Sequence, residues 1–181
     1  MHDEFRRSIY ERLVREQSPA LFRCAARLCG RADVADELVQ ETFYEAWRSM
    51  RSLKDISKAK SWLLAILRHR YAHWVRSQSR RPWKSAVDAD GQSIRSHDPD
   101  PSETLAIHDW IQQALDKLDD RYKIPFLLVF LEGMTCEEAG RHLKLPLGTI
   151  LSRVHRARQQ LRASMVADVA DVPSYRTGGS P

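Results

Sequence analysis

The chain has 181 residues, room for one ordinary domain or two small ones, and its 43% apolar and 29% charged residues with only 7 Gly and 8 Pro exclude disorder throughout. A net charge of +5 is too modest to identify a nucleic-acid binder by itself, and Cys24, Cys29 and Cys136 lack the paired spacing of a disulfide framework or a zinc knuckle and suit a reducing cytoplasm. The N-terminus has no apolar signal core and no apolar run approaches the roughly 20 residues of a membrane span, so the expectation is a cytoplasmic protein without membrane insertion.

Asp3 to Glu16 carries Phe5, Ile9, Leu13 and Val14 on one side, which predicts a short amphipathic helix. Pro19 predicts the start of a second helix through Leu21, Phe22, Ala25 and Leu28, with Gly30 as its stop. Asp33 is placed to cap a third, running to about Met50 with Ala35, Val39, Phe43, Ala46, Trp47 and Met50 as its core stripe. Residues 51–60 are polar, and a fourth helix spans Ser61 to about Ser77. Residues 1–81 are expected to form one helical unit.

Residues 82–104 hold Pro82, Gly91, Pro99 and Pro101 with few large apolar side chains, and read as a flexible acidic linker. Helices from about Glu103 to Leu118 and from Asp120 to Glu132 open a second unit, 105–165, with Gly133 as the stop. Residues 166–181 end in Gly-Gly-Ser-Pro and are expected to fray. The fold class is therefore all-α, two small helical domains joined by a tether. Charge follows the same division. Ser61 to Ser85 contains Arg68, Arg70, Arg76, Arg80, Arg81 and Lys84 without an acid, and Arg141 to Arg162 contains six basic residues without an acid. Val87 to Trp110 between them is acidic. Two acid-free amphipathic blocks point towards a polyanion.

The motif with most physical content is Thr135-Cys136-Glu137-Glu138, a capping box that starts a helix at Cys136. That helix ends near Leu143, and Lys144-Leu145-Pro146 makes a tight turn before another begins around Leu147. The result is a helix-turn-helix, whose second helix enters the major groove of DNA. Projected at 100° per residue, that helix puts Ile150, Val154, Ala157 and Leu161 on an apolar stripe, and Thr149, Ser152, Arg153, Arg156 and Gln160 on another face. Arg can bridge two acceptors on guanine, and Ser or Thr can hold a phosphate.

Two blocks in this order resemble the extracytoplasmic-function sigma factors of bacterial RNA polymerase. One is Asp36-Glu37-Leu38-Val39-Gln40-Glu41-Thr42-Phe43 with Ala46-Trp47, followed by Ser61-Trp62-Leu63; the other is Glu132-Gly133-Met134-Thr135-Cys136-Glu137-Glu138-Ala139 with Gly148-Thr149-Ile150, Ser152-Arg153 and His155-Arg156-Ala157-Arg158. The resemblance implies a non-catalytic, cofactor-free factor that carries core RNA polymerase to promoters and assists melting. It implies that Asp36, Leu38, Val39, Gln40, Glu41, Phe43 and Trp47 dock on the clamp coiled coil of the largest polymerase subunit. It assigns Thr149, Ser152, Arg153 and Arg156 to the minus thirty-five element. Trp62, His69, His73, Arg76, Arg80 and Arg81 would meet the minus ten element as it opens. Promoter DNA and core polymerase are thus the implied partners, and an anti-sigma protein is a further candidate.

The minus ten assignment has its own physical support, because Trp62, His69, His73 and Arg76 fall on one helical strip and aromatic rings among cations suit unstacked bases. Trp62 reads equally well as a partly buried core residue. His69 and His73 have the i, i+4 spacing of a metal pair but no third ligand, so no metal is assigned. Asp36, Glu37, Glu41 and Glu45 lack the nucleophile, phosphate loop or metal motif that catalysis would need. Pro146 stands where the family often has Ser, removing a side-chain cap while pre-setting the first helical turn.

Overall fold

A computed structural model of the chain describes residues 2–79 and 101–170, with side chains over 4–78 and 109–164. All regular elements among the described residues are helical: α1 (His2–Cys29), α2 (Ala32–Ser49), α3 (Ala59–Ser79), α4 (Pro101–Asp116), α5 (Asp120–Phe130), α6 (Cys136–Leu143) and α7 (Leu147–Ala170). Short 3₁₀ turns at Met50–Ser52 and Ile56–Lys58 bridge α2 and α3. Of the expected linker at 82–104, residues 82–100 lie outside the described residues and 101–104 belong to α4; of the expected tail at 166–181, residues 166–170 continue α7 and 171–181 lie outside the described residues.

The first unit packs α1, α2 and α3 around Leu21, Ala25, Ala35, Leu38, Phe43, Leu63 and Leu67, each 7% exposed or less. Fully burying one such Leu contributes roughly 1.5–3 kcal/mol. The two helices expected before Gly30 are a single α1 with Pro19 inside it. Pro19 has no N–H to continue the ladder, but the Ser18 hydroxyl donates to the Val14 carbonyl at 2.6 Å, and buried residues on both sides (Leu13, Leu21, Cys24) bind the helix to its neighbours. Tertiary burial overrides the local break. Gly30, at φ +70°, ends α1 so abruptly that α2 starts at Ala32, leaving Asp33 inside the first turn rather than at the cap. There Asp33 pairs with Arg31, which together with the Val34 amide lowers its carboxyl below the usual range.

The second unit packs α5 and α6 against α7. Asp119 caps α5 by accepting from the Arg121 amide. The capping box forms as expected: Thr135 accepts from the Glu138 amide at 3.1 Å, and Glu138 accepts from the Thr135 amide at 2.8 Å. Lys144 adopts the left-handed conformation at φ 55°, and the Leu145 amide returns to the Gly140 carbonyl at 2.9 Å. Pro146 offers its carbonyl to Thr149 and Ile150, which starts α7 without a side-chain cap. Ile150, Val154 and Ala157 are buried and Leu161 is half-buried, the stripe expected from the projection.

The two units are in direct contact. Lys123, 5% exposed, donates to the Leu28 carbonyl at the end of α1, and Arg27 donates to Gln112 of α4. A positive group at the C-terminus of α1 complements the negative end of the helix. The Tyr71 hydroxyl donates to Asp120 at 2.9 Å, and Ser61 lies 3.3 Å from His142 Nδ1. Lys60 reaches both the carboxylate of Glu132, at 3.0 Å, and its carbonyl, at 3.1 Å. Between these polar contacts Cys24, Leu28, Leu64 and Leu67 meet Ile124, Leu127 and Leu128.

Candidate promoter and polymerase interfaces

On α7, Ser152, Arg156 and Gln160 are exposed, while Thr149 and Arg153 are partly covered. The capped α6 and its turn fix the axis of α7, and the buried Ile150 stripe fixes its rotation, so this polar strip faces away from its own core. Arg156 donates to the Tyr122 hydroxyl of α5 at 3.4 Å and lowers that phenol below its usual range. Tyr122 was not singled out in the sequence, because its position beside α7 depends on the crossing of two helices. Arg158 projects elsewhere, its guanidinium 5.7 Å from the centre of the Phe130 ring.

On α3, His69, His73 and Arg76 are exposed along one side, and Trp62 is half-buried against the core. Half-buried, Trp62 packs with one part of its ring and leaves another part uncovered, which accommodates both readings open for it. Arg80 and Arg81 lie outside the described residues. No group of three or more His, Cys, Asp or Glu suited to a metal occurs among the described residues. Tyr71 and Trp74 on this helix stack at 6.0 Å between ring centroids.

The residues of α2 divide by burial. Leu38, Val39 and Phe43 are 3%, 7% and 7% exposed, so they hold α2 to its own unit and present no surface to a partner. Asp36, Gln40 and Glu41 are exposed, Gln40 donating to Asp36 at 2.8 Å. Trp47, assigned by periodicity to the core stripe, is 40% exposed. Its ring centre lies 5.0 Å from that of Tyr10, and the Arg6 guanidinium sits over it at 5.6 Å. Tyr44, 62% exposed, extends the same strip; its i+4 spacing from Gln40 was the signal that could have marked it. Tyr44 and Trp47 line a groove against Arg7, Tyr10 and Glu11 of α1.

Residues 13–81 match the Sigma-70 region 2 family and residues 108–161 the Sigma-70 region 4 family. The chain is 34% identical over 158 residues to the ECF RNA polymerase sigma factor SigE of Mycolicibacterium smegmatis, covering 84% of this chain and 60% of that one. It is 35% identical over 154 residues to the ECF RNA polymerase sigma factor EcfG of Rhodopseudomonas palustris, covering 84% and 83%. Among solved structures, the sigma factor RpoE in complex with the anti-sigma factor NepR from Bartonella quintana matches with a TM-score of 0.70 at 30% identity, over 88% of this chain and 98% of that one. With region 2 on the unit that carries the acidic α2 strip and region 4 on the unit that carries the helix-turn-helix, the chain belongs to the extracytoplasmic-function sigma factors, which direct RNA polymerase to specific promoters to initiate transcription.

Proposed function

We propose that the two units divide promoter recognition between the exposed strips just described. Thr149, Ser152, Arg153 and Arg156 read the minus thirty-five element from the major groove, and Trp62, His69, His73 and Arg76 with the Arg80-Arg81 pair follow the minus ten element as it melts. The exposed side of α2, namely Asp36, Gln40, Glu41, Tyr44 and Trp47, docks on the clamp coiled coil of the polymerase. The buried Leu38, Val39 and Phe43 shape that face from beneath. The factor itself catalyses nothing and works in the cytoplasm; no described helix is long and apolar enough to cross a membrane. An anti-sigma protein is a further partner in this reading, supported by the RpoE–NepR complex.

The observation that carries the DNA assignment is the sorting of α7: a buried Ile150, Val154 and Ala157 stripe and, round the helix, hydroxyls interleaved with guanidinium groups. Transcription by core polymerase on a genomic promoter library, with and without the chain, tests it. The chain should select a small set of promoters sharing upstream and downstream elements. Initiation unchanged by the chain, or selected promoters without a common upstream element, would overturn the reading.

A further inference from the structure

We propose that Leu151 is a specificity-determining residue of α7, reading the C5-methyl group of a thymine in the upstream element. The inference deepens, and rests on, the assignment of α7 to that element. Leu151 is 51% exposed and Leu147, one turn earlier, is 42% exposed, although a Leu gains most by burial. Counted at about 100° per residue, Ser152 lies nearly opposite the buried Ile150, and Leu151 and Arg153 flank it about equally, one on each side. Of the two flanks Leu151 is the more open, because it is exposed where Arg153 is partly covered. The exposed His155 falls between Leu151 and Ser152 and joins them into one surface. The face that α7 turns to solvent is therefore part apolar, a property hidden when only its hydroxyl and guanidinium groups are counted.

The position along the helix matters as much as the side. A recognition helix presents its N-terminal residues to base edges, and Leu151 is the fifth residue of α7. Gly148, one turn before Ser152, meets nothing within 4 Å of a notional Cβ, so no side chain there holds the first turn away from DNA. A Leu can neither pair with a phosphate nor share a hydrogen bond with a base. The one apolar group that base edges present in the major groove is the thymine methyl. No acidic residue lies between Arg141 and Arg162, so the charge around Leu151 suits a polyanion rather than the apolar face of a second protein. Arg158, on the same side two turns later, has its guanidinium over Phe130, which confines the apolar stretch to the first two turns.

The test uses reconstituted holoenzyme and the upstream element of a promoter it selects, with each thymine in turn replaced by deoxyuridine, which keeps the base pair and deletes only the methyl. At one or two positions wild-type holoenzyme should bind the deoxyuridine promoter about four-fold less tightly, the worth of one methyl withdrawn from water. Leu151→Ala should bind the thymine promoter more weakly by a similar factor and show no difference between the two bases at those positions. Ala favours the helix at an exposed site, and circular dichroism checks that the variant folds. Loss of the methyl that leaves wild-type binding unchanged at every thymine, or a Leu151→Ala variant that discriminates as wild type does, overturns the proposal. So does a Leu151→Ala variant that loses core polymerase while keeping the discrimination, an outcome that assigns the leucine to a protein contact. Arg156→Ala on the same promoters separates the two levels of inference. If it impairs upstream recognition while methyl loss does nothing, α7 reads the element without Leu151; if neither has an effect, α7 is not the reading helix.

Discussion

Replacing Gly140 by Ala is expected to destabilise the second unit, although Ala is the better helix former by about 0.8–1 kcal/mol. A Cβ built on Gly140 lies 3.0 Å from the Leu145 carbonyl oxygen and 3.6 Å from Ile150. The first contact is tighter than nearly all Cβ contacts in folded proteins and needs the carbonyl to give by a few tenths of an ångström, which its own turn resists. The amide of the same Leu145 is bonded to the Gly140 carbonyl at 2.9 Å, and the preceding Lys144 is already left-handed. Relief must come from shifting the turn, at a typical overpacking cost of about 1–3 kcal/mol. Set against the propensity gain, the net change is a loss of about 1 kcal/mol. Gly148, at the start of α7, has nothing within 4 Å of its notional Cβ, so Gly148→Ala should stabilise by about 0.4–1 kcal/mol through the unfolded chain. Urea denaturation followed by circular dichroism measures both. A Gly140→Ala variant as stable as Gly148→Ala would refute the argument that close approach of the turn selects glycine. If Gly148→Ala is stabilised but binds the upstream duplex less well, that glycine leaves room for a phosphate.

Arg153→Ala and Arg156→Ala should impair recognition of the upstream element, at least one of them relaxing base preference by roughly 1–3 kcal/mol, while Arg158→Ala, beside Phe130, causes only a modest general loss; transcription across single-base promoter variants checks this. Glu41→Lys and Tyr44→Ala should weaken polymerase association in a pull-down with helicity intact, whereas Phe43→Ala, at a buried site, should cost about 3–5 kcal/mol of stability. Thr135→Ala removes the acceptor for the Glu138 amide and should cost about 1 kcal/mol by the same denaturation assay. Burial and then the neighbouring Arg68 hold the His142 imidazole below its ordinary 6.5. The folded chain therefore binds fewer protons than the unfolded one as pH falls through 6.5, so this contribution is present above that pH and declines below it. A stability titration of His142→Asn should be flatter than wild type between pH 6.5 and 5.

Local chemistry made the second unit legible in the sequence. Thr135 and Glu138 state a helix start within four residues, and Ile150, Val154, Ala157 and Leu161 state which way α7 faces, because capping and periodicity need only near neighbours. Where long-range packing decides, the sequence was a poorer guide. Pro19 reads as a boundary, yet α1 passes through it because burial on both sides outweighs the missing donor. Leu38, Val39 and Phe43 share a segment with Asp36, Gln40 and Glu41, and family likeness alone does not separate the face that packs from the face that docks. The contact between units was invisible for the same reason: Lys60 and Glu132 are 72 residues apart, and each reads alone as an ordinary surface charge.

Cys24 gives the contact between the units a built-in chemical clock. Its thiol is 4% exposed and is pushed up to about 12 by burial and by the nearby Glu132 charge, against a smaller opposing pull from Lys60. It is therefore protonated and shielded, unable to act as a thiolate nucleophile. Separating the units would move Glu132 and the apolar cover of α5 away from it together. The rate at which a small disulfide reagent modifies Cys24 thus counts opening events without an added probe. Cys29 and Cys136, both less buried, would react first and mark the baseline. Reaction of Cys24 should form a slow phase of its own, turning a silent core residue into a record of how often α5 moves off α1 and α3.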